Sequence, residues 1–296
     1  MTRTPFPTPI SLAVVLMICL GGVPARARAL ADPKGPPTAA DAPPPVAQSD
    51  DDADDHATLR PAEPDYSVIN LPSTLPLPKY KSNFHLAHRF NGNLRRNSFG
   101  DNVSNLFGLD QGASISFEYR FGLTKHLQGI ASRTNIGKVI QFSAKYDALH
   151  QTSSSPIALS ALASVEGENN FKTRHSPSVG AVVSRTINDN AGLYITPFWA
   201  RSSGGDSSVA HDTFVLGLGA RVRVLPTVYL VGEVAPRLAG FAAGDPEFGF
   251  GIEKRAGGHV FQLTFANTHA TTFGQLAAGG FPHSLYLGFN LARKFF

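Results

Sequence analysis

From Lys81 to the C-terminus, apolar and polar residues alternate with a period of two, the spacing at which side chains of an extended chain point to opposite faces. In GASISFEYRFG, Ala113, Ile115, Phe117, Tyr119 and Phe121 share one face, and Ser114, Ser116, Glu118 and Arg120 share the other. VIQFSAKYDA repeats the pattern, with Ile140, Phe142, Ala144, Tyr146 and Ala148 opposite Gln141, Ser143, Lys145 and Asp147. TFVLGLGARVRV sets Phe214, Leu216, Leu218, Ala220 and Val222 against Gly217, Gly219, Arg221 and Arg223. One face is greasy and the other carries charge, so the two sides of the predicted sheet meet different surroundings.

Carried along the chain, the alternation predicts twelve strands, near 81–91, 111–121, 127–134, 138–149, 156–166, 177–187, 191–202, 212–224, 228–238, 246–255, 259–268 and 284–295. Most reach the roughly 9 to 11 residues that a tilted strand needs to cross a bilayer. The links after predicted strands 2, 6, 8 and 10 (GLTKH, NDN, LPT, AGG) are short, and TSSS after strand 4 is nearly so. Those after strands 1, 5, 7, 9 and 11 are longer, and only the link after strand 3 breaks the rhythm. An even strand number, tight turns on one side and longer loops on the other predict an all-β, transmembrane antiparallel β-barrel with both ends on the periplasmic side. A soluble sandwich also alternates, but its strands run nearer to about 5 or 6 residues and its loops are not sorted by side.

The N-terminus adds a destination. Thr2 and Arg3 precede the apolar run ISLAVVLMICLGGV, and Ala27-Arg28-Ala29 follows as a small-residue cleavage site, so residues 1–29 read as a secretory signal peptide. The one cysteine, Cys19, lies inside it, which leaves the mature chain without a disulfide or a thiol nucleophile. Ile18 before it is not the small residue that lipid attachment requires. No later apolar run approaches the roughly 18 residues of a spanning helix, so a membrane location demands a closed barrel, which satisfies every backbone group internally.

Charge divides the remainder. Residues 30–78, including GPPTAADAPPPVAQSDDDADDHATLRPAEPD, hold nine acidic and two basic residues, whereas residues 79–296 hold 13 acidic and 21 basic, so the overall charge of +4 conceals an asymmetry. A Pro-, Ala- and Asp-rich composition cannot bury enough surface to offset its ordering entropy, and residues 30–78 are expected to be a disordered periplasmic linker ahead of a barrel at 79–296. The Asp50 to Asp55 run lacks the glycine and closing glutamate of a calcium loop and reads as a solvated stretch.

The segments LFGLDQGASISFEYRFGLTKHL, YLVGEVAPRLAGF and FGFGIEKRAGGHVFQLTFANTHATTFGQ together resemble a bacterial family of predicted outer-membrane β-barrels carried as a domain of unknown function. The resemblance covers most of residues 80–296 and implies fold and location, but no activity and no catalytic residues. The final residues LYLGFNLARKFF supply the C-terminal aromatic common to such barrels, although the apolar set Leu285, Leu287, Phe289 and Leu291 leads to Phe295, one residue out of register with Phe296.

Candidate chemistry lies on the charged face. By the alternation, Glu118, Arg120, Lys145, Asp147, Glu166, Arg221, Arg223, Glu233, Arg237, Glu253 and Arg255 point into the lumen. Either they line a watery path for small, preferentially anionic solutes, or they pair across a narrow barrel and hold it shut. Gly217, Gly219, Gly249 and Gly251 leave inward patches of wall without side chains, which either widen a pore or receive another segment. The best candidate for an inserted segment is the first long loop, FGDNVSNLFGL, where Phe99, Val103, Leu106 and Phe107 fit one helical face; it could fold inward as a constriction, but a rim loop packed on its neighbours is the preferred reading. Tyr119, Phe121, Tyr146, Trp199, Phe248 and Phe295 fall near strand ends, as interfacial girdles require.

Other chemistries find little support. His85 and His88 point to opposite faces, and His269 and His283, which bracket a loop, give too few ligands for a metal site. No G-x-S-x-G elbow is present, so a lipid hydrolase is the third reading and no catalytic residue, metal or cofactor is assigned. Scattered rather than clustered basic residues, on an exported chain, argue against nucleic acid as a partner. The expected partners are outer-membrane lipid, the barrel-assembly machinery and, if the barrel is sealed, a periplasmic protein tethered by the linker.

Overall fold

A computed structural model describes residues 62–96, 98–201, 212–240 and 244–296. The alternating segments form β1 (Ser82–Asn93), β2 (Ala113–Gly122), β3 (Leu127–Thr134), β4 (Ile140–Leu149), β5 (Ala158–Gly167), β6 (Thr173–Ile187) and β7 (Ala191–Ala200). They continue as β8 (Thr213–Leu225), β9 (Val228–Ala235), β10 (Arg237–Ala239), β11 (Glu247–Ala256), β12 (His259–Ala266) and β13 (Tyr286–Phe295). All pairings are antiparallel, and β1 joins β13 to close the sheet into a barrel without a free edge. β9 and β10 are halves of one wall strand: Pro236 has no N–H to give the ladder, while its carbonyl still accepts the Leu216 N–H at 2.9 Å. The wall therefore has twelve strands, as the alternation predicts.

Register orders the connections by side. Ser82 pairs with both Phe295 and Phe121, which places the two chain ends of the barrel, and the links after β2, β4, β6, β8 and β11, at one end. This is the termini end, and the opposite end is the loop end. Two loops differ in length from expectation. β6 begins at Thr173, so the link after β5 is a tight turn in which Asn169, Asn170 and Phe171 take left-handed φ values of 50°, 60° and 65°. The link after β4 is longer than TSSS suggests and spans residues 150–157.

The two faces separate cleanly. Phe117, Tyr119, Phe142, Tyr146, Ile195, Phe250, Phe261 and Leu263 are exposed on the outside of the wall, forming an apolar belt. Arg120, Lys145, Asp147, Arg221 and Glu253 alternate with members of that belt and are buried inside. Among the described residues no helix is long and apolar enough to cross a membrane, and the strands supply the apolar exterior.

The interior is filled by the chain itself, which corrects the expected linker boundary. Residues 62–77 do not belong to a solvated linker: they lie inside the barrel, buried except for the partly covered Asn70 and Pro76. The physical reason is local. Tyr66, Val68, Ile69, Leu71, Leu75 and Leu77 crowd into twelve residues, and they are diluted when averaged with the Asp-rich sequence before them. The expected signal peptide and the linker up to residue 61 lie outside the described residues.

At the loop end the candidate insert stays at the rim, the preferred of its two readings, and another segment enters the lumen. FGDNVSNLFGL does form a short helix, α1 (Phe99–Ser104), which starts at a capping box between Ser98 and Asp101. Its apolar residues face outward, however, with Phe99 77% exposed and Val103 and Leu106 also exposed. The segment that dips into the lumen is residues 267–277 of the link after β12, whose helix α2 (Phe273–Ala278) is capped by Thr272. Leu276 and Ala277 of α2 pack with Leu71, Phe198, Val215 and Ala235, so the inserts from the two ends meet at Leu71.

The offset at the C-terminus has a cause in this packing. Phe295 lies on the outer face, 49% exposed, while Phe296 packs against Tyr66, Leu75 and Leu77. Lys294 sits between the two systems, its ammonium 5.2 Å from the Tyr66 ring centre and 6.0 Å from that of Phe296.

Candidate functional site

The site is the contact between the inserted segment and the inner wall. Residues 66–73 form a narrow hairpin in which Ser73 N–H donates to the Tyr66 carbonyl and Val68 N–H to the Leu71 carbonyl, each at 2.8 Å. Ser67 bridges Pro72 across it. An ordinary β-turn would send the Leu71 N–H back to the Val68 carbonyl. Here that N–H goes to the wall, and the tip exposes three successive donors.

Glu233 on β9 takes all three. Its carboxylate accepts the N–H of Ile69 at 3.0 Å, of Asn70 at 2.8 Å and of Leu71 at 3.0 Å. Three consecutive main-chain donors of the tip thus converge on one side chain.

The carbonyls are taken by wall donors from other strands. Arg221 on β8 donates to the Ser67 carbonyl at 2.7 Å, Gln262 on β12 to that of Val68 at 2.6 Å, and Asn290 on β13 to that of Ile69 at 3.1 Å. Lys145 on β4 spans the descending arm, donating to the carbonyls of Ser73 at 2.9 Å and Leu75 at 2.8 Å. The Asn70 side chain is read at both ends: its oxygen accepts from Arg89 Nη2 at 3.0 Å and its amide donates to Glu247 at 3.3 Å. Arg120 reaches the Ser67 hydroxyl at 3.3 Å, and the hydroxyls of Thr74 and Ser184 meet at 2.5 Å.

The eleven charges singled out from the sequence thus fall into four groups. Arg120, Lys145, Arg221 and Glu233 touch the hairpin directly. Glu118, Asp147 and Glu253 hold those contacts in place: Glu118 pairs with Arg120, Asp147 with Lys145 at 3.2 Å, and Glu253 with Arg221 at 2.9 Å. Glu166 and Arg237 pin the loop-end insert instead, Glu166 accepting the Gly274 N–H at 3.0 Å and Arg237 donating to the carbonyls of Ala278 at 3.0 Å and Asp245 at 3.2 Å. Arg223 and Arg255 stand half-buried at the last rungs of the termini end, where Arg223 donates to the Pro226 carbonyl at 3.2 Å.

Three of the four inward glycines make room for the hairpin tip. A Cβ on Gly217 would lie 2.8 Å from a Leu71 methyl, one on Gly219 3.1 Å from Val68, and one on Gly249 3.3 Å from Ile69. The first separation is closer than carbon contacts allow and the other two are tighter than most, so the gaps fit the side chains that fill them. Gly251 differs, since a Cβ there would strike the Leu263 carbonyl of the neighbouring strand.

Some contributors were not visible as candidates. Arg89 and Glu247 are inward by alternation, but β1 is interrupted by a bulge after Arg89 and Glu247 opens its strand, where a short pattern is ambiguous. Gln262 and Asn290 carry no charge and escape a search for charged rings. They hydrogen-bond each other at 2.8 Å and form the floor under Val68 and Ile69.

Beyond α2, at the loop end, lies a cavity of about 680 Å³ lined in part by Glu166, Glu168, Arg174, His269, Gln275 and Phe281. Burial pushes the His269 imidazole below its ordinary value, with the nearby Arg89 charge acting the same way and a backbone hydrogen bond at Phe90 opposing. Among the described residues no group of three or more His, Cys, Asp or Glu side chains could hold a metal ion.

Comparison with known proteins gives a family and a set of distant folds. The family model described as "Membrane bound beta barrel domain (DUF5777)" matches residues 65–295. No curated protein matches the chain. Among solved structures, a NanC porin is 6% identical with a TM-score of 0.48, covering 72% of this chain and 98% of its own. An outer-membrane channel from Pseudomonas putida F1 is 11% identical with a TM-score of 0.48, covering 74% and 97%. The outer-membrane protein Omp33 of Acinetobacter baumannii is 10% identical with a TM-score of 0.42, covering 75% and 100%.

Proposed function

The chain belongs to this membrane-bound β-barrel family, and from that premise we propose that it is an outer-membrane conduit for small solutes that rests closed, plugged by its own residues 62–77. The termini end then faces the periplasm, and the linker leads into the plug from that side.

The observation that carries this reading is what the lumen charges do. Arg221, Lys145 and Glu233 are spent on the main chain of an inserted segment that belongs to no wall strand. A barrel built only to be solid could fill its interior with apolar side chains at lower desolvation cost. A lumen that must hold water once the segment leaves needs a polar wall. Asn83, Arg120 Nη1 and Gln128 Oε1 support the same view, being buried toward the termini end without a protein hydrogen-bond partner, where hydration would satisfy them.

Planar-bilayer recording tests the proposal. Full-length protein should be silent or open rarely, and full-length Val68→Asp/Leu71→Asp, whose tip cannot re-enter the apolar gaps, should conduct steadily. Deletion of residues 62–77 should do the same. Silent bilayers from well-folded samples of both variants would reject a conduit.

A second reading, a permanently sealed platform, draws on the apolar cluster in which Leu71, Leu276 and Phe198 join the two inserts. It expects no conductance from any of these proteins.

A further inference from the structure

The wall recognises the plug chiefly through its main chain. Arg221, Gln262, Asn290 and Lys145 donate to peptide carbonyls, and Glu233 accepts three consecutive peptide N–H groups. Peptide amides are common to every polypeptide, and a site that satisfies them does not depend on the sequence it holds. Selectivity resides in the gaps over Gly217, Gly219 and Gly249, which receive Leu71, Val68 and Ile69 and therefore favour branched apolar side chains. One further position, at Asn70, is lined by Arg89 and Glu247 and suits a small amide.

We propose that the vacated lumen is a binding site for short peptides, and that residues 67–72, Ser-Val-Ile-Asn-Leu-Pro, occupy it as a built-in competitor. The inference rests on the conduit reading and gives that conduit its substrate class: apolar oligopeptides of about six residues. Sugars of similar size also carry donors and acceptors, but they offer neither consecutive N–H groups for Glu233 nor branched alkyl groups for the glycine gaps. The wall matches both features at once. Solutes that merely diffuse need no such match.

The test uses the full-length Val68→Asp/Leu71→Asp protein in planar bilayers with the acetylated, amidated hexapeptide SVINLP as probe. An unrelated apolar hexapeptide and a linear glucose hexasaccharide serve as comparisons. Both peptides should interrupt the current at concentrations at least tenfold below the sugar, and adding Glu233→Ala should raise the blocking concentration of the peptides tenfold or more while leaving that of the sugar unchanged. Steady conductance with equal block by peptide and sugar would overturn the peptide site while the conduit stands. Should the bilayers be silent, the conduit reading falls, and calorimetric titration of SVINLP into the same protein in detergent decides the site separately: heat of binding lost in Glu233→Ala supports it, and no heat overturns it. If that variant fails to fold, the protein lacking residues 62–77 takes its place under the same criteria.

Discussion

The carboxylate of Glu233 and the main-chain N–H of Asn70, 163 residues apart in sequence, meet at 2.8 Å inside the barrel. This contact joins a wall strand to a segment that looks, by composition, like the end of a linker. The hold on the hairpin tip centres on this side chain, because the same carboxylate also accepts from Ile69 and Leu71.

Replacing that carboxylate should loosen the plug without dismantling the wall. Glu233→Ala leaves three N–H groups unpaired, those of Ile69 and Leu71 buried, and leaving buried donors unsatisfied costs about 1 to 3 kcal/mol each. The expected outcome is an open probability raised at least tenfold in single-channel records, with unchanged heat-modifiable mobility on gels. Unaltered gating would mean that the tip is held by something else.

The glycine gaps predict a compensating pair. Gly217→Ala places a methyl 2.8 Å from Leu71, so the plug must shift and opening should become more frequent. Leu71→Ala removes the clashing methyl groups, and the double variant should lie closer to the parent than Gly217→Ala alone does. Simple addition of the two effects in a double-mutant cycle would deny the contact.

The Arg221–Glu253 pair is fully buried, with Nε and Oε1 2.9 Å apart, and breaking it from one side strands a charge. Arg221→Met should destabilise the barrel by about 3 to 5 kcal/mol, whereas Arg221→Met/Glu253→Met should recover most of that loss. Urea unfolding in detergent, followed by tryptophan emission from Trp199, measures both. Equal destabilisation of the single and double variants would show that the pair is not coupled.

Acidity should act on the loop-end insert through His269. Its imidazole is held below the ordinary value of 6.5, so the folded state binds its proton less readily than the unfolded chain does. The stability that goes with the neutral ring is therefore complete above pH 6.5 and declines as the pH falls below it. Melting followed by circular dichroism should show a drop between pH 7.5 and pH 5.0 that is smaller in His269→Gln. The same drop in both proteins would place the acid response elsewhere.

The wall was legible from the sequence because a membrane barrel repeats one simple constraint. Phe117, Tyr119 and Phe121 must face lipid, so Arg120 must face inward, and the alternation carries that information strand by strand. The plug was not legible by the same means. Residues 66–73 belong to no ladder of the wall, and their partners lie far off in sequence, Asn290 being 221 residues from Ile69. Two signals pointed toward it: the cluster of large apolar residues from Tyr66 to Leu77, and the inward glycines, whose pairing with an incoming segment was one of two open readings. FGDNVSNLFGL stood out as the best candidate insert because it carries a helical stripe, yet a stripe shows only that one face is apolar, and a place at the rim was the preferred reading. Lipid at the rim accepts such a face as well as a lumen does, and Phe99 stands exposed.

The central claim, that the N-terminal segment closes a conduit by occupying its lumen, is tested most directly by locking that segment in place. A Cβ on Gly219 would lie 3.1 Å from a Val68 methyl, so cysteines at these two positions are placed to bridge. In mature Val68→Cys/Gly219→Cys protein, oxidation should abolish all openings in planar bilayers, and reduction should restore them at a frequency above that of the parent. Identical currents before and after reduction, with the bridge verified by mass spectrometry, would contradict the account.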